Sequence, residues 1–254
     1  MRETVNPRMI RASLLVAVLA CWCLAPAAFA TTISVSTPIG VTDTAGEVVD
    51  ASAMITTGTG TVTIKLSNLL TASQVESVGQ NLTALSFTLG GITSVGTVNS
   101  STGTFIDVGS GGVVASASSM LSGPNLIGWG LSNSGDVYLL NGLGGSATPQ
   151  NTIIGGTVGS TTPYSSAKGS IDANGPHNPF VQATGMWTLS ISGVTTGTSI
   201  SDVVFSFGTT SGDNIAAPEP GSALLLLIGL GALLTAAAFR RKKAPASAIA
   251  PLRS

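Results

Sequence analysis

The sequence predicts a mainly β exterior domain, an antiparallel β-sandwich or jelly roll, followed by a single C-terminal transmembrane helix. Three observations predict it. Short apolar stretches alternate with period two between clusters of Gly, Ser, Thr and Asn. Of the 32 glycines, 29 lie between Thr31 and Ala217, a density that suits turns and disfavours helices. Residues Ser222 to Phe239 form an 18-residue run without a charge, about 27 Å long at helical rise and so able to cross one hydrocarbon core.

In chain order, Arg2, Arg8 and Arg11 make a basic start, Ala12 to Leu24 an apolar stretch, and Ala28-Phe29-Ala30 an Ala-x-Ala cleavage site. Residues 1–30 read as a removed secretory signal, with Ala28 and Ala30 marking the cut. Val18-Leu19-Ala20-Cys21 loosely resembles a lipobox, which would make Cys21 a lipidated first residue; Arg11 and the Ala-x-Ala site favour plain cleavage. Cys21 and Cys23 are the only cysteines, so a chain starting at Thr31 forms no disulfide.

The body, 31–209, is then read as strands. Thr57 to Leu66 places Thr57, Thr59, Thr61 and Thr63 on one parity and Val62, Ile64 and Leu66 on the other, a strand with one wet face. Leu82 to Leu89, Trp187 to Ser192 and Val203 to Phe207 follow suit, with Phe87, Leu89, Trp187, Leu189, Ile191, Phe205 and Phe207 expected in the core. Weaker candidates are Ile33 to Ser36, Thr104 to Val108, Leu126 to Leu131, Val137 to Leu140 and Ile153-Ile154. Asn133-Ser134-Gly135-Asp136 reads as a hairpin turn. The one helical candidate in the body is a turn or two over Ala72 to Val78, stopped at Gly79-Gln80-Asn81. Residues 210–217 read as a linker, 222–239 as the span and 244–254 as a short cytoplasmic tail. Arg240, Arg241, Lys242 and Lys243 hold that end inside as a stop-transfer cluster.

Pro218-Glu219-Pro220, one apolar helix and a basic cluster, in that order over 218–243, resemble the sorting signal of PEP-CTERM proteins. The resemblance implies export by a Gram-negative bacterium that makes exopolysaccharide. It also implies recognition near Pro218, Glu219 and Pro220 by an exosortase, a membrane-embedded cysteine protease or transpeptidase. Gly175 to Thr209, with Asn178-Pro179-Phe180 and Phe205-Ser206-Phe207-Gly208, is more loosely similar to the bodies of such proteins, where two final strands end in Phe-x-Phe-Gly. That likeness implies a β-rich exterior domain and no activity.

Charge and residue chemistry narrow the function classes. Between Thr31 and Ala217 two lysines, Lys65 and Lys168, stand against nine carboxylates, an acidic body with too few cations to neutralise phosphates. Nucleic acid is therefore not an expected partner. Acid-base and nucleophilic catalysis need tuned groups within reach of one another, and this body offers one His, His177, between Pro176 and Pro179. Asp172-Ala173-Asn174-Gly175 opens like a calcium loop but lacks its later ligands, above all a glutamate at position 12, so it reads as a polar turn. No cofactor is expected. The row Thr57, Thr59, Thr61 and Thr63, with Trp129, Trp187 and Tyr138 as sugar-stacking platforms, would suit a carbohydrate- or ice-binding module. A solvent face and a buried core account for the same residues. The reading that results is an exported, non-catalytic surface or matrix protein, sorted by an exosortase, held at a membrane by its tail and associated with exopolysaccharide. The alternatives are the carbohydrate- or ice-binding module and, behind it, a secreted hydrolase.

Overall fold

The computed structural model describes residues 30–143, 150–209 and 213–218. The predicted leader up to residue 29, the transmembrane run and the basic cluster lie outside the described residues. Among the described residues no helix is long and apolar enough to cross a membrane.

Thirteen strands make one mixed, mostly antiparallel sheet with two arms. One arm runs β1 (Thr32–Ser36), β2 (Ala51–Gly58), β3 (Thr61–Asn68), β11 (Phe180–Ile191) and β5 (Gly96–Val108), with β6 (Val114–Ala117) and β7 (Leu121–Gly123) beyond β5. The other runs β8 (Gly130–Ser134), β9 (Val137–Asn141), β4 (Leu82–Leu89), β12 (Ile200–Phe207) and β13 (Asp213–Ala216). The two-residue strand β10 (Ile153–Ile154) joins them, pairing in parallel with β11 and antiparallel with β4. That parallel pair departs from the all-antiparallel expectation.

Alternation sets which face is buried. Ala53, Ile55, Val62, Ile64, Leu66, Trp187, Leu189 and Ile191 point inward from the first arm. They meet Leu85, Phe87, Leu89, Tyr138, Leu140, Val203, Phe205 and Phe207 of the second in one hydrophobic cluster. All seven residues expected in the core are at most 1 % exposed. Burying an aliphatic or aromatic side chain of this kind contributes about 1.5–3 kcal/mol. Gly185 sits inside this cluster because a Cβ there would lie 2.8 Å from Trp187 Cζ3. The indole occupies the space a side chain would need.

Polar residues stitch the junction of the arms. Asn68, buried at the end of β3, donates from Nδ2 to Gln80 O at 2.9 Å and to Ile153 O at 3.1 Å, and accepts from Leu70 N at 3.2 Å. Asn81 Nδ2 donates to Thr152 Oγ1 at 2.9 Å. Leaving the buried Nδ2 groups of Asn68 and Asn81 unpaired would carry a desolvation cost, so these contacts help fix where β10 lies, although Asn81 Oδ1 has no hydrogen-bond partner among the described residues.

Several local expectations are corrected. Thr57 to Leu66 is not one strand: it turns at Thr59-Gly60, with Gly58 opposite Thr61, so β2 and β3 form a hairpin. Gly60 and Gly135, at φ +68 and +64, provide the left-handed position of the two hairpin turns. The second is the turn expected at Asn133 to Asp136, with Ser134 opposite Val137. The helix expected near Ala72 to Val78 is two 3₁₀ turns, Ala72–Gln74 and Val78–Gln80. Gln74 Oε1 accepts from Thr71 N at 2.9 Å, and Gln80 Oε1 from Glu76 N at 2.6 Å, so each turn closes on its own side chain and Val75 between them is extended. The segment read as a linker carries β13, because Ile215 finds a partner in Phe205 across β12. Leu126 to Leu131 is a turn that enters β8, not a strand of its own.

A smaller apolar cluster lies beside the main one, with Leu70, Val75, Ile106, Ile154, Tyr164 and Phe180 at its centre. The Tyr164 hydroxyl donates to Gly155 O at 2.9 Å. Burial pushes this phenol up from 10.0 to about 12, against a smaller opposing effect from Gln182. A folded value above the unfolded one means that the folded chain keeps the proton longer. The contribution of the neutral ring is whole below pH 10 and is lost as pH rises from about 10 towards 12. Melting curves between about pH 9 and 12 should show Tm falling above pH 10, with a shallower fall in Tyr164→Phe. Equal alkaline slopes in the two proteins would contradict this.

Candidate sorting site and outer sheet faces

The chain leaves the sheet along β13. Phe207 faces Asp213, Ser206 Asn214, Phe205 Ile215 and Val204 Ala216. Asp213 Oδ1 accepts from Thr44 N at 3.0 Å, and Ser206 Oγ donates to Asn214 Oδ1 at 2.6 Å. One residue further, Ala217 N donates to Val203 O at 2.8 Å. Ala217 is 9 % exposed, and with Pro218 it lines an apolar crevice with Ile33, Val35, Ile200 and Val203. Pro218 is exposed. The body thus holds its own C-terminal end up to the first residue of Pro218-Glu219-Pro220. Glu219, Pro220, Arg240, Arg241, Lys242 and Lys243 lie outside the described residues, as does Ala28. Ala30 is exposed, and the fold begins directly after it: Thr31 N donates to Thr196 O at 2.8 Å and Thr31 O accepts from Thr57 N at 2.9 Å.

Several residues singled out in the sequence have structural partners. Asn178 pairs like a strand with Val108, its Oδ1 accepting from Val108 N at 2.9 Å and its Nδ2 donating to Val108 O at 3.0 Å. A cis Asn178-Pro179 bond follows, and Phe180 is fully buried. The Asn-Pro-Phe segment therefore terminates β5 and delivers β11. His177, half-buried beside it, donates its backbone N–H to Asn174 O at 3.1 Å, while its ring Nδ1 is buried with no hydrogen-bond partner among the described residues. Asp172 Oδ1 accepts from Gly112 N at 3.4 Å, closing the polar turn against the next loop. Among the described residues no group of three or more His, Cys, Asp or Glu converges as metal ligands would. Lys168 Nζ pairs with Glu76 Oε2 at 2.6 Å and Glu47 Oε1 at 3.5 Å, and Glu76 chiefly holds its ammonium above the ordinary value.

Trp129, Trp187 and Tyr138 are core residues, not platforms. The two indoles pack at 4.7 Å, and Tyr138 stacks on Phe87 at 5.8 Å. The Trp129 indole donates to Asn151 O at 2.9 Å and the Tyr138 hydroxyl to Ser94 O at 2.7 Å. Burial, with a smaller contribution from Asp136, pushes the Tyr138 phenol up. The hydroxyl row along one strand is also corrected. Thr57 is fully buried, its hydroxyl donating to Thr196 O at 3.1 Å, and Thr59 is in the turn.

Pairing builds a different row, across the strands. Register sets Thr32, Thr56, Thr63, Thr188 and Ser100 side by side on the outer face of β1, β2, β3, β11 and β5. At a strand spacing near 4.8 Å this rung is about 19 Å long. Ser36, Ser52, Ser67 and Thr184 form a second rung, and Ser34, Met54, Lys65, Met186 and Thr102 lie between the two. Lys65 is the one charge among these outward positions. Neighbouring hydroxyls bond each other, Thr32 Oγ1 to Thr56 Oγ1 at 3.0 Å and Ser67 Oγ to Thr184 Oγ1 at 2.9 Å. The outer face of the other arm carries an open groove of about 610 Å³, lined by Thr83, Ser86, Asn141, Ser206 and Asn214 with Leu139 and Val204. Neither feature is legible from a single segment, because each is assembled from strands far apart in the chain.

Comparison with known families finds the PEP-CTERM protein-sorting motif at residues 216–242. The match overlaps the end of β13 and covers Pro218, Glu219, Pro220 and three of the four basic residues. The motif implies export, processing by an exosortase and a cell-surface destination. No curated protein and no solved structure matches the chain.

Proposed function

We propose that this protein is an exported, non-catalytic surface or matrix protein. A signal over residues 1–30 exports it, a single helix over 222–239 holds it at the membrane, and an exosortase releases it. Its two arms serve as the two layers of a β-sandwich, whose outer faces meet exopolysaccharide. The sorting motif carries this reading. Two observations support the non-catalytic part: Asp172 satisfies a backbone group in its turn, and Lys168 is paired with two carboxylates.

Pro218 and Pro220 lack an N–H and keep the motif extended, while Glu219 carries a charge that resists entry into hydrocarbon. Glu219→Ala should therefore impair exosortase-dependent release and leave membrane insertion intact, read by fractionation and intact mass. Full-length product of the same mass with and without exosortase would contradict the sorting reading.

The rung of Thr32, Thr56, Thr63, Thr188 and Ser100 favours a second reading, a carbohydrate- or ice-binding module. A nearly uncharged array of hydroxyls can pair with a hydroxyl-bearing polymer or a water lattice without stripping ions. Thr63→Tyr and Thr188→Tyr should abolish glycan-array or ice-recrystallisation activity with Tm little changed. Activity unaffected by both substitutions would exclude the rung.

A further inference from the structure

A membrane-embedded protease must take its substrate as an extended, accessible strand, since a peptide bond inside a paired sheet edge offers neither its backbone groups nor room for the enzyme. In this chain the sorting motif has no free spacer on the body side. Ala217 is bonded to Val203 and packed in the crevice that Pro218 also lines, and β13 before it is paired with β12. On the membrane side Pro218 is four residue steps from Ser222, where the uncharged run begins. Fully extended, those steps reach about 14 Å. Half the difference between total and hydrocarbon thickness puts the headgroup layer at about 5–8 Å, so the folded edge stands almost on the bilayer. Little room is left for an enzyme to straddle the motif.

The same edge is built to open. β13 is four residues long and lies at the margin of the sheet, with one apolar side chain, Ile215, turned inward and only half-buried. Among the described residues, an attachment upstream of β13 is Gly208, whose N–H donates to Asn81 O at 2.9 Å. Release from Thr209 to Ala217 would free nine residues, about 30 Å of extended chain, while Phe205 and Phe207 stay in the core.

We infer that β13 is a releasable clamp on the sorting motif, and that the exosortase gains its substrate segment only after β13 peels from β12. This rests on the exosortase reading above. Folding and processing are thereby coupled: the strand that completes the sheet edge is the strand the enzyme must draw out.

The test is a staple. Ser206→Cys with Asn214→Cys joins side chains that already touch, in a chain with no other cysteine after Cys23. The full-length protein is expressed with its exosortase, and the rate of tail loss is followed by intact mass. The oxidised staple should slow processing at least tenfold, and reductant should restore it. Inserting ten Gly-Ser residues between Ala217 and Pro218 should also restore it with the disulfide intact, which a general folding defect would not allow. Ile215→Ser, which loosens the clamp without a disulfide, should speed processing. A stapled chain processed at the wild-type rate, a stapled chain with the insertion that remains slow, or an unchanged rate in Ile215→Ser overturns the clamp. A wild-type chain that never loses its tail overturns the sorting reading and the clamp with it.

Discussion

The apolar contact between the inward faces of the two arms is the interaction on which everything else in this fold depends. Residues 31–217 contain no cysteine, and the described part contains only isolated 3₁₀ turns as helix. Among the described strand pairings, the arms are linked by β10 alone, two residues long. Ladder hydrogen bonds at one short junction cannot hold two such arms in place. The interlocked Trp129, Trp187, Phe87, Tyr138, Phe205 and Phe207 can, because each removes a large apolar surface from water. Asn68 and Asn81 add specificity, since a shift of β10 would cost both their Nδ2 groups a hydrogen bond there.

That constraint sorts the polar residues as well. With so few charges in the body, solubility rests on Ser, Thr and Asn at alternate strand positions, and pairing gathers these into broad neutral faces. A surface of that kind is compatible with a hydrated sugar matrix and avoids the counterion exchange of a charged one. The last strand belongs to the same economy: Ile215 and Ala217 are the final apolar residues the interior collects before Pro218.

Much of this was legible where alternation was strong and uninterrupted. Leu82 to Leu89 coincides with β4, Ile153-Ile154 with β10, and Val137 to Leu140 falls within β9. The first half of β11 was hidden because Phe180 to Ala183 are all buried and show no alternation, and because the register shifts between Val181 and Gly185, where Ala183 is left-handed at φ +58. β2 was hidden for a different reason: Ala51 and Ala53 are too small to mark an inward face, and the alternation of Thr57 to Thr63 ran straight through a turn. Gly58 and Gly60, one residue apart, were the signal that could have placed that turn. The sorting motif was readable as a string, whereas its attachment to the sheet was not. Asp213 to Ala216 has one large apolar side chain, and only β12 makes it a strand.

Amide hydrogen exchange on the full-length protein tests the central claim, that both arms share one cooperative interior with β13 as its weak margin. The account predicts that β3 and β11 of one arm and β4 and β12 of the other reach the same slow limit, while β13 exchanges much faster. Separate limits for the two arms, or protection of β13 equal to that of β12, would contradict it.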